Sequence, residues 1–255
     1  MIKKFRVPLV CVALFCVLSH VTLLQAEEKA KSYYLIGNSL TWDTVPSLLD
    51  GDVQWHVDCG KSLPYIYAHP EMPCVKNSTL WPTALKEKQY DLISVQPHYG
   101  STLAEDIDTI SRWVKLQPKA TFIIHTGWAR SATRADEYAN QDVSGKLQHS
   151  PAYINALIVE LKKRFPERQF KQTYAINLLA QVDADIKLNK APFDQITDLY
   201  RDAIHMKTDS GRYLMHNAMR HAMGQPRSEK GYEKVDPKVK AYLNQVLDTL
   251  NQPKS

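Results

Sequence analysis

The chain has 255 residues, 44% hydrophobic and 23% charged, with 14 Pro and 9 Gly. That composition excludes collagen-like, coiled-coil and largely disordered chains and leaves an ordinary globular protein, long enough for one large core. The formal charge of +5 does not mark a nucleic-acid partner: three of the 32 basic residues lie in the first six positions, no acidic residue precedes Glu27, and the remainder balances to +2 without a long Lys/Arg tract.

Lys3, Lys4 and Arg6 form a basic start, Val7 to Leu24 is mainly apolar, and Gln25-Ala26 precedes Glu27-Glu28. This is the layout of a secretory signal peptide, so residues 1–26 are expected to be a leader cleaved after Ala26 and residues 27–255 the folded domain. A membrane anchor is the alternative reading of the same run, which is near the lower length limit for a span and is interrupted by Ser19 and His20. Bulky Val10 and Phe15 before Cys11 and Cys16 argue against lipid attachment. No later stretch is long and apolar enough to cross a bilayer, so the expected location is a periplasm or the cell exterior, with no stable membrane span after cleavage. In an oxidising compartment the two cysteines outside the leader, Cys59 and Cys74, are expected to pair, closing a loop of about 15 residues worth roughly 3 kcal/mol in the chain-entropy model. Zinc binding competes with this reading, but no CxxC and no close histidine pair accompanies them.

Short apolar runs then alternate with helical periodicity, the pattern of parallel strands covered by helices. Strands are predicted at Tyr33–Ile36, Val53–Val57, Leu92–Gln96, Thr121–His125 and, more weakly, Thr173–Asn177. Trp42–Leu49 can start a helix. Thr102 and Glu105 form a capping box before Leu103, Ile107, Ile110 and Val114; Ser150-Pro151 and Asp236-Pro237 open two further helices, and another ends near Gly224. Asp58–Pro82 and Thr126–His149 lack periodicity and read as long ordered loops of the kind that carry function.

Gly37-Asn38-Ser39-Leu40-Thr41 follows the first strand, which places Ser39 at the carboxyl end of a strand, where open α/β sheets bind ligands. A serine there has helix-start amides beside it that can face an oxyanion; equally, Asn38 or Ser39 can simply cap a tight turn. Far downstream, Asp202 and His205 are three apart. Asp202 can accept the Nδ1 proton of His205 and leave Nε2 to take a proton from Ser39, the division of labour a serine nucleophile requires. A surface ion pair is the alternative for these two residues alone. The chain has no GxSxG elbow, no phosphate loop, no dinucleotide fingerprint and no HxH or HExxH spacing, so neither a cofactor nor a metal is expected.

With these two blocks in place the sequence resembles the SGNH (GDSL-type) hydrolases, Gly37 to Thr41 standing where that family has its GDSL block and Asp202 to His205 at its DxxH block. The resemblance implies a three-layer α/β/α, flavodoxin-like domain with a parallel five-stranded sheet in the order 2-1-3-4-5. It also implies Ser39 as nucleophile, His205 as general base and acid, and Asp202 as the residue orienting the imidazole. The family's oxyanion hole uses the serine N–H, a glycine N–H after the second strand and an asparagine after the third. Gly60 matches the second. The third block is altered to Ser94-Val95-Gln96-Pro97-His98, which makes Gln96 the candidate donor, against a strand-end amide bonded to the backbone.

Trp42 and Trp128 follow strand ends on the side of Ser39 and are candidates to line the substrate site, with partly buried packing as the alternative. His98 and His125 follow strand ends and are candidates to line the cleft, and Arg130 and Arg134 can meet an acidic group or remain solvated. The expected activity is removal of a small acyl group, acetyl by family resemblance, from a carbohydrate or similar polar ester, small or polymeric. A non-catalytic glycan-binding protein, an acyltransferase or a lipase are the competing readings.

Overall fold

The computed structural model describes residues 30–251 together with Ile2; the leader expected over residues 1–26 otherwise lies outside the described residues. In chain order the elements are β1 (Ser32–Gly37), α1 (Ser39–Trp42), β2 (Asp52–Val57), α2 (Leu63–Ala68), α3 (Trp81–Glu87), β3 (Leu92–Val95) and α4 (Leu103–Leu116). They continue with β4 (Thr121–Ile124), α5 (Arg134–Ala139), α6 (Pro151–Arg164), β5 (Phe170–Gln172), α7 (Ala175–Lys187), α8 (Ser210–Met223) and α9 (Pro237–Asp248). All strand pairs are parallel, in the order β2-β1-β3-β4-β5. The alternating pattern predicts the parallel strands, and the order is the flavodoxin-like one that the resemblance implies.

Side chains on a strand alternate between faces, and here both faces are covered. Tyr34 and Ile36 of β1, Ile93 and Val95 of β3 and Phe122 and Ile124 of β4 pack into one cluster with Ile110 and Trp113 of α4 and Leu157 and Leu161 of α6. Tyr33, Leu35, Leu92 and Ile123 point the other way, onto Met219, Ala222 and Met223 of α8. Beyond them α7, α8 and α9 share a cluster that includes Val182, Leu214, Leu243 and Val246. Helices on both faces make the three layers.

The helix starts follow their sequence signals. Thr102 and Glu105 form both bonds of the capping box. Ser150 accepts from the Tyr153 amide, and Asp236 accepts from those of Lys238 and Val239. Two elements depart from expectation. The fifth strand lies at Phe170–Gln172, and Ala175-Ile176-Asn177, predicted as its end, opens α7 instead. Phe170 supplies the buried anchor of that strand, and Tyr174 in the left-handed region turns the chain into the helix. The helix expected over Trp42–Leu49 is broken: α1 ends at Trp42, Val45 takes φ 51°, and a 3-10 turn follows at Pro46–Leu48.

Cys59 and Cys74 form a disulfide with Cα atoms 5.6 Å apart. It closes the loop that follows β2. Among the described residues no helix is long and apolar enough to cross a membrane.

Candidate active site

β1 lies inside the sheet, between β2 and β3. The carboxyl ends of β1 and β3 are the switch point of this strand order, the place where such sheets bind their ligands. Asn38 caps α1 by accepting the Leu40 amide at 2.9 Å, and this sets Ser39 as the first helical residue. Its N–H is one of those a helix start leaves without an intrahelical acceptor. The same Asn38 donates through Nδ2 to the Lys61 carbonyl at 3.2 Å, so one side chain ties the serine turn to the loop carrying Gly60. Gly60 is exposed with φ 70°, a conformation that favours glycine.

The segment between α7 and α8 brings Asp202 and His205 to this edge. His205 Nε2 is 2.9 Å from Ser39 Oγ. His205 Nδ1 is 3.0 and 2.9 Å from the two carboxylate oxygens of Asp202. A carboxylate only accepts, so Nδ1 carries a proton, and in the neutral imidazole Nε2 presents its lone pair and the Ser39 hydroxyl donates to it. Partial burial pushes the Asp202 carboxyl up, but the amides of His205 and Ile204 and the imidazole outweigh this and bring it down to about 2. It is ionised at neutral pH. The side chains of Asp202 and His205 stay 49% and 27% exposed, so the site is open and shallow.

Gln96 is fully buried behind the serine turn. Its Oε1 accepts from the Asn38 amide at 3.2 Å, the Thr41 amide at 3.1 Å and the Thr41 hydroxyl at 3.0 Å, and its Nε2 donates to the Pro97 carbonyl. Two backbone donors fix which amide atom faces the turn. The geometry thus corresponds to the strand-end amide bonded to backbone: Gln96 clamps the turn from beneath, with its acceptor toward it.

Trp128 is one of the residues expected to line the substrate site. It is sealed from solvent, and its indole N–H donates to the Ile204 carbonyl at 2.6 Å, supporting the Asp202–His205 segment from within. Trp42 is half-buried and packs edge-on against Trp55, with ring centroids 5.7 Å apart. His98 is buried and bonds through Nδ1 to His149 Nε2 at 3.3 Å, while His149 Nδ1 meets the Thr126 carbonyl at 3.0 Å. The carbonyl only accepts, so His149 Nδ1 donates to it, and in neutral His149 the Nε2 accepts from His98. His125 is enclosed against Thr173. Arg134 turns inward to Asp183 at 2.6 Å, whereas Arg130 is exposed.

Sequence reasoning passed over Asp43, Thr44 and His216. Asp43 is buried under α1, and His216 of α8 binds the Thr44 carbonyl through Nδ1 at 2.7 Å. These bonds, with those of Gln96, hold Val45 in the left-handed region, which for a β-branched residue costs of order 1–3 kcal/mol. A glycine is required just before the turn. A Cβ at Gly37 would overlap Thr41 Oγ1 and lie 2.8 Å from Gln96 Cβ. Gly37→Ala is therefore expected to lower stability by about 1–3 kcal/mol, read as a reduced urea midpoint. An unchanged midpoint would show that the clamp can yield.

Among the described residues no group of three or more His, Cys, Asp or Glu side chains is arranged to hold a metal ion. No protein-family model matches the sequence, and no curated protein matches it. Solved structures similar in fold include a proposed GDSL-like lipase from Parabacteroides merdae, at 14% identity and TM-score 0.47, covering 77% of this chain and 96% of that one. A possible lipase from Chitinophaga pinensis is similar at 13% identity and TM-score 0.43, covering 76% and 99%. A family two carbohydrate esterase from Cellvibrio japonicus is similar at 15% identity and TM-score 0.40, covering 86% and 62%.

Proposed function

We propose that this chain is a periplasmic or secreted serine esterase of the SGNH type that removes a small acyl group, acetyl in the first instance, from a carbohydrate or similar polar ester. One observation carries the reading: a serine hydroxyl at a helix start lies 2.9 Å from an imidazole whose other nitrogen is held by an ionised aspartate.

In this reading Ser39 Oγ attacks the ester carbonyl as its proton passes to His205 Nε2. The oxyanion is met by the amides of Ser39 and Gly60, with Gln96 shaping the turn that presents the first of them. His205 Nε2–H then protonates the departing alcohol, leaving an acyl group on Ser39. Water attacks that acyl group, gives its proton to His205 and releases the acid, and the proton returns to Ser39. Asp202 keeps the imidazole in the required tautomer and offsets its charge. No cofactor enters these steps.

A fluorophosphonate probe tests the reading directly. It is expected to label the protein of residues 27–255 once, on Ser39, as located by mass spectrometry, and the same protein is expected to hydrolyse p-nitrophenyl acetate. Glycan binding without labelling would replace the enzyme by a binding protein; preference for long acyl chains would make it a lipase, and transfer to an added alcohol an acyltransferase.

A further inference from the structure

Asp43 ends the turn that Ser39 begins, its amide donating to the Ser39 carbonyl at 2.9 Å. Its side chain is wholly buried, and a buried carboxylate persists only when cations or amides satisfy it. Every partner comes from the segment that carries the imidazole or from the helix after it. Oδ1 receives Arg201 Nη1 at 3.0 Å and Arg212 Nε and Nη2 at 2.9 and 2.7 Å, and Oδ2 receives the Met206 amide at 2.8 Å. Arg201 precedes Asp202 in the chain and Met206 follows His205. The carboxylate thus grips both flanks of the Asp202–His205 pair, and Arg201 closes the loop on itself by donating to the Met206 carbonyl at 2.5 Å. Arg201 Nε also lies 3.9 Å from Asp202 Oδ2.

The pair it grips lies at the exposed edge of its segment. Asp202 and His205 are partly exposed; beside them Met206 is buried and Ile204 partly buried in the cluster of α7, α8 and α9, the Ile204 carbonyl accepts from Trp128, and the Ala203 carbonyl accepts from the Ser131 amide. Neither of these two hydrogen bonds reaches the turn that bears Ser39. The Asp43 carboxylate does, across a sequence separation of up to 169 residues.

We propose that Asp43 is a positioning residue that sets the separation of His205 and Ser39 by joining the serine turn to both sides of the histidine segment. The proposal deepens the esterase reading and rests on it for its kinetic consequence. Asp43→Asn keeps the volume but removes the negative charge that the two guanidinium groups on Oδ1 pair with and sets an NH2 donor against the Met206 N–H on the other side, so the segment must shift outward. Displacement of a reacting group by about 1 Å costs on the order of 100-fold in rate. Asp43→Asn is therefore expected to reduce kcat per titrated active site for p-nitrophenyl acetate by about 10- to 100-fold, with KM changed less than about threefold. Arg201→Gln removes one arm, leaves the buried Asp43–Arg212 pair, and is expected to move kcat in the same direction; it decides the matter if Asp43→Asn does not fold. Asp50→Asn breaks the ion pair of buried Arg220 elsewhere and is expected to leave kcat unchanged.

Proton NMR supplies a readout that does not depend on turnover. The Nδ1–H of His205, bonded to Asp202, is expected to give a protected downfield signal in the parent protein that broadens or disappears in both Asp43→Asn and Arg201→Gln. Parental kcat together with an intact His205 signal in the folded variants would overturn the proposal. If the parent protein itself hydrolyses nothing, the esterase reading fails, and the NMR comparison still decides whether Asp43 sets the imidazole.

Discussion

Ser39→Ala is expected to lower kcat for p-nitrophenyl acetate by at least about 10⁴-fold while the protein stays folded. The substitution removes one oxygen, partly exposed, whose partner is the His205 imidazole, so its effect on stability should stay within about 1 kcal/mol. His205→Ala is expected to be nearly as damaging, because the hydroxyl is a weak nucleophile until a base takes its proton. Groups that act as a unit lose their effect together, so the double variant should be scarcely slower than either single one. Rates measured on purified variants, with urea unfolding as the control, check all three statements. Multiplicative losses in the double variant would mean that the two side chains work independently, and the short contact between them would then have no kinetic meaning.

Acidification is expected to destabilise the protein steeply. Burial holds His56 and His149 down to about 4 and His98 and His125 down to about 3, so all four are neutral in the folded chain well below the ordinary histidine range. In the unfolded chain they titrate near 6.5. Between these limits the unfolded state binds the additional protons, so stability is lost as the pH falls through 6.5. Asp106 acts in the opposite sense. Burial pushes its carboxyl up to about 7, so the folded state binds that proton first and gains stability on acidification. Of these five groups, four imidazoles against one carboxyl favour a net uptake of about three protons on unfolding near pH 5, and the burial of His216 acts in the same sense as the four. At roughly 1 kcal/mol per proton and pH unit, the loss between pH 7 and pH 5 is of order 5 kcal/mol, comparable to the whole stability of many domains. Urea unfolding at pH 7, 6 and 5 measures the slope. A flat response would mean that the imidazoles take up protons in place, and the burial argument would fail.

Much of the architecture is written locally. The four clear strand runs, the capping box at Thr102, the Ser150-Pro151 and Asp236-Pro237 starts and Gly224 depend on neighbours within a few residues, and each falls within a residue or so of its expected place. The fifth strand is less legible because only three residues pair at that edge, and the apolar residues after it belong to a helix. Ser39 after the first strand and Asp202 with His205 before a late helix are likewise recognisable from residue type, spacing and order.

The placement of the remaining side chains is a tertiary matter. Trp128 and Trp42 are similar in sequence context, yet one is sealed beneath the histidine segment and the other lies half-buried against Trp55. Gln96 has an amide able to donate or accept, and only the two backbone N–H groups facing it, 55 and 58 residues away in sequence, select its acceptor side. Asp43 reads as an ordinary acid in a short helix until Arg201, Met206 and Arg212 close over it. Local pattern determines which elements form because their hydrogen bonds and periodicity are local. Which polar side chain is buried, and what satisfies it, depends on contacts between distant segments, since desolvation is a property of the packed whole.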